Sequence, residues 1–222
     1  MMIIPPSFSA DEEVLFVFDA SISMGENFHG KPKHVAASNA TKNLLDRIGD
    51  SKRIGLRTIG IALDVSILNY IQNPDSMCKA TKLNVPIRTN STDFIKNSLD
   101  EIFPLGTTPL EYSLNLSLNS DFSKSPNVLK HLILVTDGAD NCNGDLCHFI
   151  RKISNTRNDV LIDIIAIDVT QEDLEQLKCL TSATNGVLYV VKNPVELQEA
   201  FESTYKRIYN PPVLKYNIVE LT

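Results

Sequence analysis

The chain has 222 residues, 43% of them hydrophobic and 22% charged, and a formal net charge of −6. This suits one sizeable α/β domain, or at most two small ones. No dense Lys/Arg block suggests nucleic acid or an anionic membrane, no stretch has the apolar length of a spanning helix, and Met1–Pro6 is too short and has no basic start, so it is not a secretory signal.

Residues 1–13 read as an irregular lead-in containing Pro5 and Pro6. A buried strand follows over 14–18 (Val-Leu-Phe-Val-Phe), because a short unbroken apolar run of β-favouring residues has no polar face to show to water. It breaks into Asp19-Ala20-Ser21-Ile22-Ser23, whose acid and two hydroxyls alternate, so that a curving chain turns all three oxygens toward one point. After a loop to Pro32, Val35, Ala36, Leu44, Leu45 and Ile48 mark a helix over 33–48 that Gly49 stops. A second strand covers 53–60. Residues 61–82 read as a variable loop with a short helix, and 83–87 as a strand that Pro86 confines to a sheet edge.

Asn90 or Ser91 can cap a helix over 92–102, and Thr108 can cap the helix that Pro109 begins. Strands over 131–136, 160–168 and 187–191 then alternate with helices over 145–155, 171–183 and 194–208, and 210–222 reads as an extended tail or linker after two prolines. Alternating strands and helices predict a doubly wound, mostly parallel α/β sheet with one antiparallel edge strand and helices on both faces. Neither a dinucleotide glycine fingerprint nor a phosphate-binding loop is present.

Asp19 ends the first strand, Asp137 ends the strand over 131–136, and Thr108 opens a helix lying between them in sequence. In open α/β sheets such positions converge beyond the carboxyl ends of the strands. One or two carboxylates with neutral hydroxyls suit a hard divalent cation, which takes oxygen ligands and keeps several waters. His29, His34, His131 and His148 share no metal-ligand spacing and read as surface or loop residues. Asp140, Asn141 and Asp145 read as a solvated polar turn. Cys78, Cys142, Cys147 and Cys179 have no zinc-finger spacing, and an even number of cysteines is compatible with two disulfides or with four buried thiols.

Asp19-Ala20-Ser21-Ile22-Ser23, Gly106-Thr107-Thr108-Pro109 and Thr136-Asp137-Gly138 stand in the order of the von Willebrand factor A domain signature, and the chain resembles that family from about 14 to 208. The resemblance implies a Rossmann-like domain over 14–209 with a metal-ion-dependent adhesion site. Ser21, Ser23 and Thr108 would bind Mg²⁺ (or Mn²⁺ or Ca²⁺) directly or by turns, Asp19 and Asp137 directly or through water, and one position would stay open for an acidic side chain of a protein partner. Thr107 competes with Thr108 for its role, and the following proline favours Thr108. The run 136–147 resembles a bacterial branch with a cysteine pair in this loop. Cys142 and Cys147 are near enough in sequence for a turn to bring them within bridging range, so Cys142–Cys147 is the expected bridge, with Cys78–Cys179 as a second that ties the 61–82 loop to the helix over 171–183. Paired cysteines, as in that branch, would favour an extracytoplasmic location; unpaired cysteines would fit the cytoplasm.

These features predict a non-enzymatic, metal-dependent protein-binding module, monomeric by itself, with neither nucleic acid nor membrane insertion among its partners. A subunit of a larger machine, such as an ATPase-chaperone or chelatase-type complex, is the alternative. Phosphatase chemistry normally needs an acid two residues after the nucleophilic Asp, and position 21 is Ser.

Overall fold

The computed structural model describes residues 12–60, 74–125 and 127–212. Its centre is a six-stranded sheet built from β1 (Glu12–Asp19), β4 (Arg53–Ile59), β5 (Thr81–Arg88), β6 (Leu129–Thr136), β7 (Val160–Ile167) and β8 (Leu188–Val191), in the order β5-β4-β1-β6-β7-β8. All neighbours pair in parallel except β5, which runs antiparallel to β4 at the edge. Pro86 is tolerated there because an edge strand leaves one row of backbone groups unpaired. A two-stranded hairpin, β2 (Asn27–Phe28) and β3 (Lys31–Pro32), lies outside the sheet in a stretch read from sequence as loop.

Among the described residues, six α-helices cover the sheet: α1 (Lys33–Ile48), α2 (Thr92–Asp100), α3 (Leu110–Leu116), α4 (Leu146–Ser154), α5 (Gln171–Thr184) and α6 (Pro194–Tyr209). The pleat explains why β1 is apolar throughout. Val14, Phe16 and Phe18 enter one core with Leu45 of α1, Leu99 of α2 and Phe201 of α6. Leu15 and Val17 enter the other with Leu114 of α3, Phe149 of α4 and Leu180 of α5. Local signals end the helices as well. Gly49 follows α1 with φ +67°, and Asn193 accepts the Val195 and Glu196 N–H groups ahead of α6.

Four local expectations need correction. β1 begins at Glu12, because the lead-in's last two carboxylates find partners: Glu12 pairs with Lys52, and Glu13 pairs with Arg53 and accepts the Ser123 N–H. The remainder of the lead-in, positions 61–73 of the loop and tail residues 213–222 lie outside the described residues. Ser91 occupies the α2 cap position, but its hydroxyl donates to the Ile54 and Arg88 carbonyls instead. Thr108 does not cap α3: Pro109 stands at the cap position, and Asp140 accepts the Glu111 N–H. His131 is a fully buried strand residue, held between Glu12 on β1 and Asp163 on β7.

The disulfides also differ from the expected pairs. Cys78 is joined to Cys142, with Cα atoms 5.4 Å apart, and Cys147 to Cys179, at 5.1 Å. Nearness in sequence misled because Asp140 winds its loop tightly, accepting the Cys142 and Gly144 N–H groups, while Asp145 caps α4. Cys142 is thereby turned to the 74–79 turn, whereas Cys147 rides on α4 toward α5. Asp140 and Asp145 thus brace the loop rather than forming a merely solvated turn.

Candidate metal centre

β1 has β4 on one side and β6 on the other, so the chain order reverses beside it, and a crevice opens beyond the strand ends at such a point. Two glycines let three segments close on this spot. Gly60 has φ +78°, and a Cβ on Gly106 would stand 2.2 Å from the Gly60 carbonyl oxygen. With that clearance, the Leu105 N–H donates to the Ala20 carbonyl and the Ile22 N–H to the Gly106 carbonyl, which seats the 105–108 loop against the serine turn.

Four of the five anticipated residues are joined by hydrogen bonds. Asp19 Oδ1 accepts the Ser21 N–H at 2.8 Å, and Asp19 Oδ2 accepts the Thr136 hydroxyl at 2.6 Å. Ser23 Oγ donates to Asp137 Oδ1 at 2.8 Å and lies 3.1 Å from Ser21 Oγ. Ser23 has one hydroxyl hydrogen, so Ser21 donates within that pair, and both hydroxyls keep lone pairs free. Thr108 approaches by its backbone: its N–H donates to Asn141 Oδ1 at 2.7 Å, and its carbonyl accepts the Asn141 N–H. Residue 108 is 3% exposed. The Thr107 hydroxyl is spent on the Met77 carbonyl at 2.9 Å.

Burial, with a smaller contribution from Asp137, pushes the Asp19 carboxyl from an ordinary 3.8 up to about 6, against the hydrogen bonds from Thr136 and Ser21. A carboxylate so short of solvation favours a neighbouring cation. Among the described residues no group of three or more His, Cys, Asp or Glu side chains is placed to hold a metal ion. A centre here therefore draws on hydroxyls and backbone-braced loops as well as carboxylates.

Sequence reading missed three contributors. Thr136 orients Asp19, Asn141 positions Thr108, and Lys33 is buried against Asp137 with Nζ–Oδ2 2.8 Å and also bonds Glu26 at 2.8 Å. Burial by itself would lower the Lys33 pKa, but its hydrogen bonds to Asp137 and Glu26 hold it above the ordinary value. One signal for Lys33 was legible: it is the first residue of a helix, the end at which a cation is disfavoured by the helix dipole.

Fold and site define an α/β domain with an oxygen-lined crevice at its topological switch point. The chain belongs to the von Willebrand factor type A domain family, whose model matches residues 13–203. It is 25% identical over 202 residues to the uncharacterized protein YwmD of Bacillus subtilis (strain 168), covering 89% of this chain and 88% of that one. Among solved structures it is similar to a von Willebrand factor type A protein from Catenulispora acidiphila, with TM-score 0.67 and 22% identity. That match covers 88% of this chain but only 42% of the other. Proximal thread matrix protein 1 from the mussel byssus, in a form with a zinc-occupied MIDAS motif, matches with TM-score 0.65 and 20% identity over 88% of this chain and 45% of its own. Among the described residues no helix is long and apolar enough to cross a membrane.

Proposed function

We propose that this domain is a metal-ion-dependent protein-binding module in which Asp19, Ser21, Ser23, Thr108 and Asp137 hold a divalent cation and an acidic side chain of a partner protein completes its shell. The observation that carries this reading is the hydrogen-bonded set of two carboxylates and two serines, Asp19–Ser21–Ser23–Asp137, gathered at the switch point of the sheet beside the largely buried Thr108. Mostly neutral ligands leave the ion electrophilic, and Mg²⁺ prefers such oxygen donors. Around the crevice Ile22 is 66% exposed, Phe103 68% and Leu105 53%, an apolar rim that a protein surface can cover. No covalent chemistry enters the reading. The two disulfides favour an extracytoplasmic compartment over a reduced intracellular machine.

Titration calorimetry tests the metal assignment. Mg²⁺ or Mn²⁺ is expected to bind at one site, with Thr108→Ala weakening binding at least tenfold while circular dichroism stays native. Zn²⁺ is titrated in parallel, given the zinc-occupied relative. Undiminished binding by Thr108→Ala would remove Thr108 from the ligand set.

The two bridges should separate in the same assay. Cys142 Sγ lies 3.5 Å from Thr107 Oγ1, and Asn141, its neighbour in sequence, positions Thr108. Replacing Cys78 and Cys142 by Ser is therefore expected to lower both stability and metal affinity, the latter about fivefold. The Cys147/Cys179 double Ser variant should lose stability alone. Chain entropy puts each bridge, closing 64 and 32 residues of separation, at about 4 kcal/mol as an upper figure. Equal metal affinity in the two variants would show that the Cys78–Cys142 bridge does not support the centre.

A further inference from the structure

We propose that Lys33 is a built-in counter-cation of the oxygen cluster: it weakens the hold on a divalent ion and keeps the bound ion more attractive to an external carboxylate. The inference rests on the metal reading above and assigns a role to a residue outside the ligand set. Lys33 opens α1, where the helix dipole disfavours positive charge, and it is 4% exposed. A lysine is rarely held this way without a compensating partner. Its Nζ donates to Asp137 Oδ2 at 2.8 Å, and the Lys33 and Asp137 side chains are 5% and 1% exposed.

Asp137 is thus divided between two duties. Oδ2 is committed to Lys33, and Oδ1 takes the Ser23 hydroxyl hydrogen on the side of the serine turn. The other Lys33 partner, Glu26, has a 67% exposed side chain, so water screens it and it counts for little. Within the buried set the charges are then Asp19, Asp137 and Lys33, one net negative charge. A divalent ion brings this to one net positive charge; with a neutral residue at position 33 it would reach only zero. The lysine therefore opposes metal entry by repulsion and favours an incoming carboxylate by attraction, both through the same positive charge. When no ion is bound it also compensates the charge of Asp137, which raises the Asp19 pKa.

The test uses the full chain with Lys33→Met, Lys33→Gln and Lys33→Arg. Gln keeps a hydrogen-bond donor to Asp137, so it serves if the Met variant fails to fold. Calorimetry with Mn²⁺ is expected to show at least tenfold tighter binding in the two neutral variants and near wild-type binding in Lys33→Arg. Acetate is then added to the Mn²⁺-loaded proteins, and paramagnetic relaxation of its methyl protons is expected to show at least threefold weaker acetate binding in the neutral variants. Equal or weaker Mn²⁺ binding by natively folded Met and Gln variants overturns the inference and leaves Lys33 a structural strut. Tighter Mn²⁺ binding with unchanged acetate affinity also overturns it. Absence of Mn²⁺ binding in the wild type would instead overturn the metal reading, and this inference with it.

Discussion

Replacing Asp19 by Asn is expected to abolish divalent-ion binding and, in the metal-free protein at pH 7, to raise folding stability by about 2–3 kcal/mol. Asp19 is completely buried, and its pKa moves from 3.8 to about 6. A carboxyl whose folded-state pKa is raised contributes stability that is fully present below about 3.8 and is lost as pH rises through about 6. Above that window the metal-free fold carries a desolvated charge, which costs about 3 kcal/mol. Asn removes the charge and keeps the shape. Its carbonyl oxygen can accept the Ser21 N–H, its amide can donate to Thr136 Oγ1, and the Thr136 hydrogen can turn fully to the Gly138 carbonyl, already 2.8 Å away. In a domain of this size the gain corresponds to a rise of roughly 5–10 °C in Tm. The metal reverses the account, because it needs the ionised form; Mg²⁺ affinity of the wild type should therefore fall as pH drops below about 6. Thermal unfolding in EDTA, with calorimetry at pH 5.5 and 7.5, measures both effects. Metal binding undiminished in Asp19→Asn, or independent of pH across this range, would contradict the site.

The second large effect lies at the other end of the sheet. His131→Leu is expected to destabilise the domain by about 3–5 kcal/mol, because removing one partner of a buried ionic network leaves the others uncompensated. His131 Nδ1 faces Glu12 Oε1 at 3.0 Å, and Nε2 faces Asp163 Oδ2 at 2.9 Å. Asp163 also takes Arg207 from α6 at 2.6 Å, and Glu12 takes Lys52 at 3.2 Å. Burial by itself would lower the imidazole pKa, but the two carboxylates hold it above the ordinary 6.5. Burial likewise opposes the Asp163 charge, and His131 and Arg207 outweigh it to hold that pKa below the ordinary value. The sign for His131 follows from its raised value: its contribution is fully present below about pH 6.5 and is lost as pH climbs through the higher folded-state pKa. Denaturant unfolding from pH 6.5 to 9.5 should show wild-type stability declining, with the decline reduced in His131→Leu. A shallow cost together with an unchanged slope would mean that His131 is neutral in the fold.

Much of this architecture is legible in the order of residues along the chain. Apolar runs broken at Asp19 and at Asp137 mark strands that end in acids, and helical stripes between them require parallel pairing, because a crossover helix is the way to join parallel neighbours. Pro86 marks the edge strand, since a missing N–H cannot serve two neighbours. The three motif segments define the candidate oxygen set by order and type alone. These features are local: each depends on what a few consecutive residues can do.

What only tertiary structure decided are the relations between segments far apart in sequence. The Thr107 hydroxyl finds its acceptor in the Met77 carbonyl, 30 residues away, which supports Thr108 over Thr107 in the proposed set. The disulfide pairs followed from the loop wound on Asp140 and the packing of α4 beside α5, not from the five-residue spacing of Cys142 and Cys147. His131 is central rather than peripheral because β1 and β7 flank β6 and place Glu12 and Asp163 on either side of it. Lys33 faces Asp137 across 104 residues. A side chain's hydrogen-bond capacity is fixed by its type, but its partner is fixed by which backbone the fold brings within 3 Å, and one sequence read along its length holds no measure of that distance.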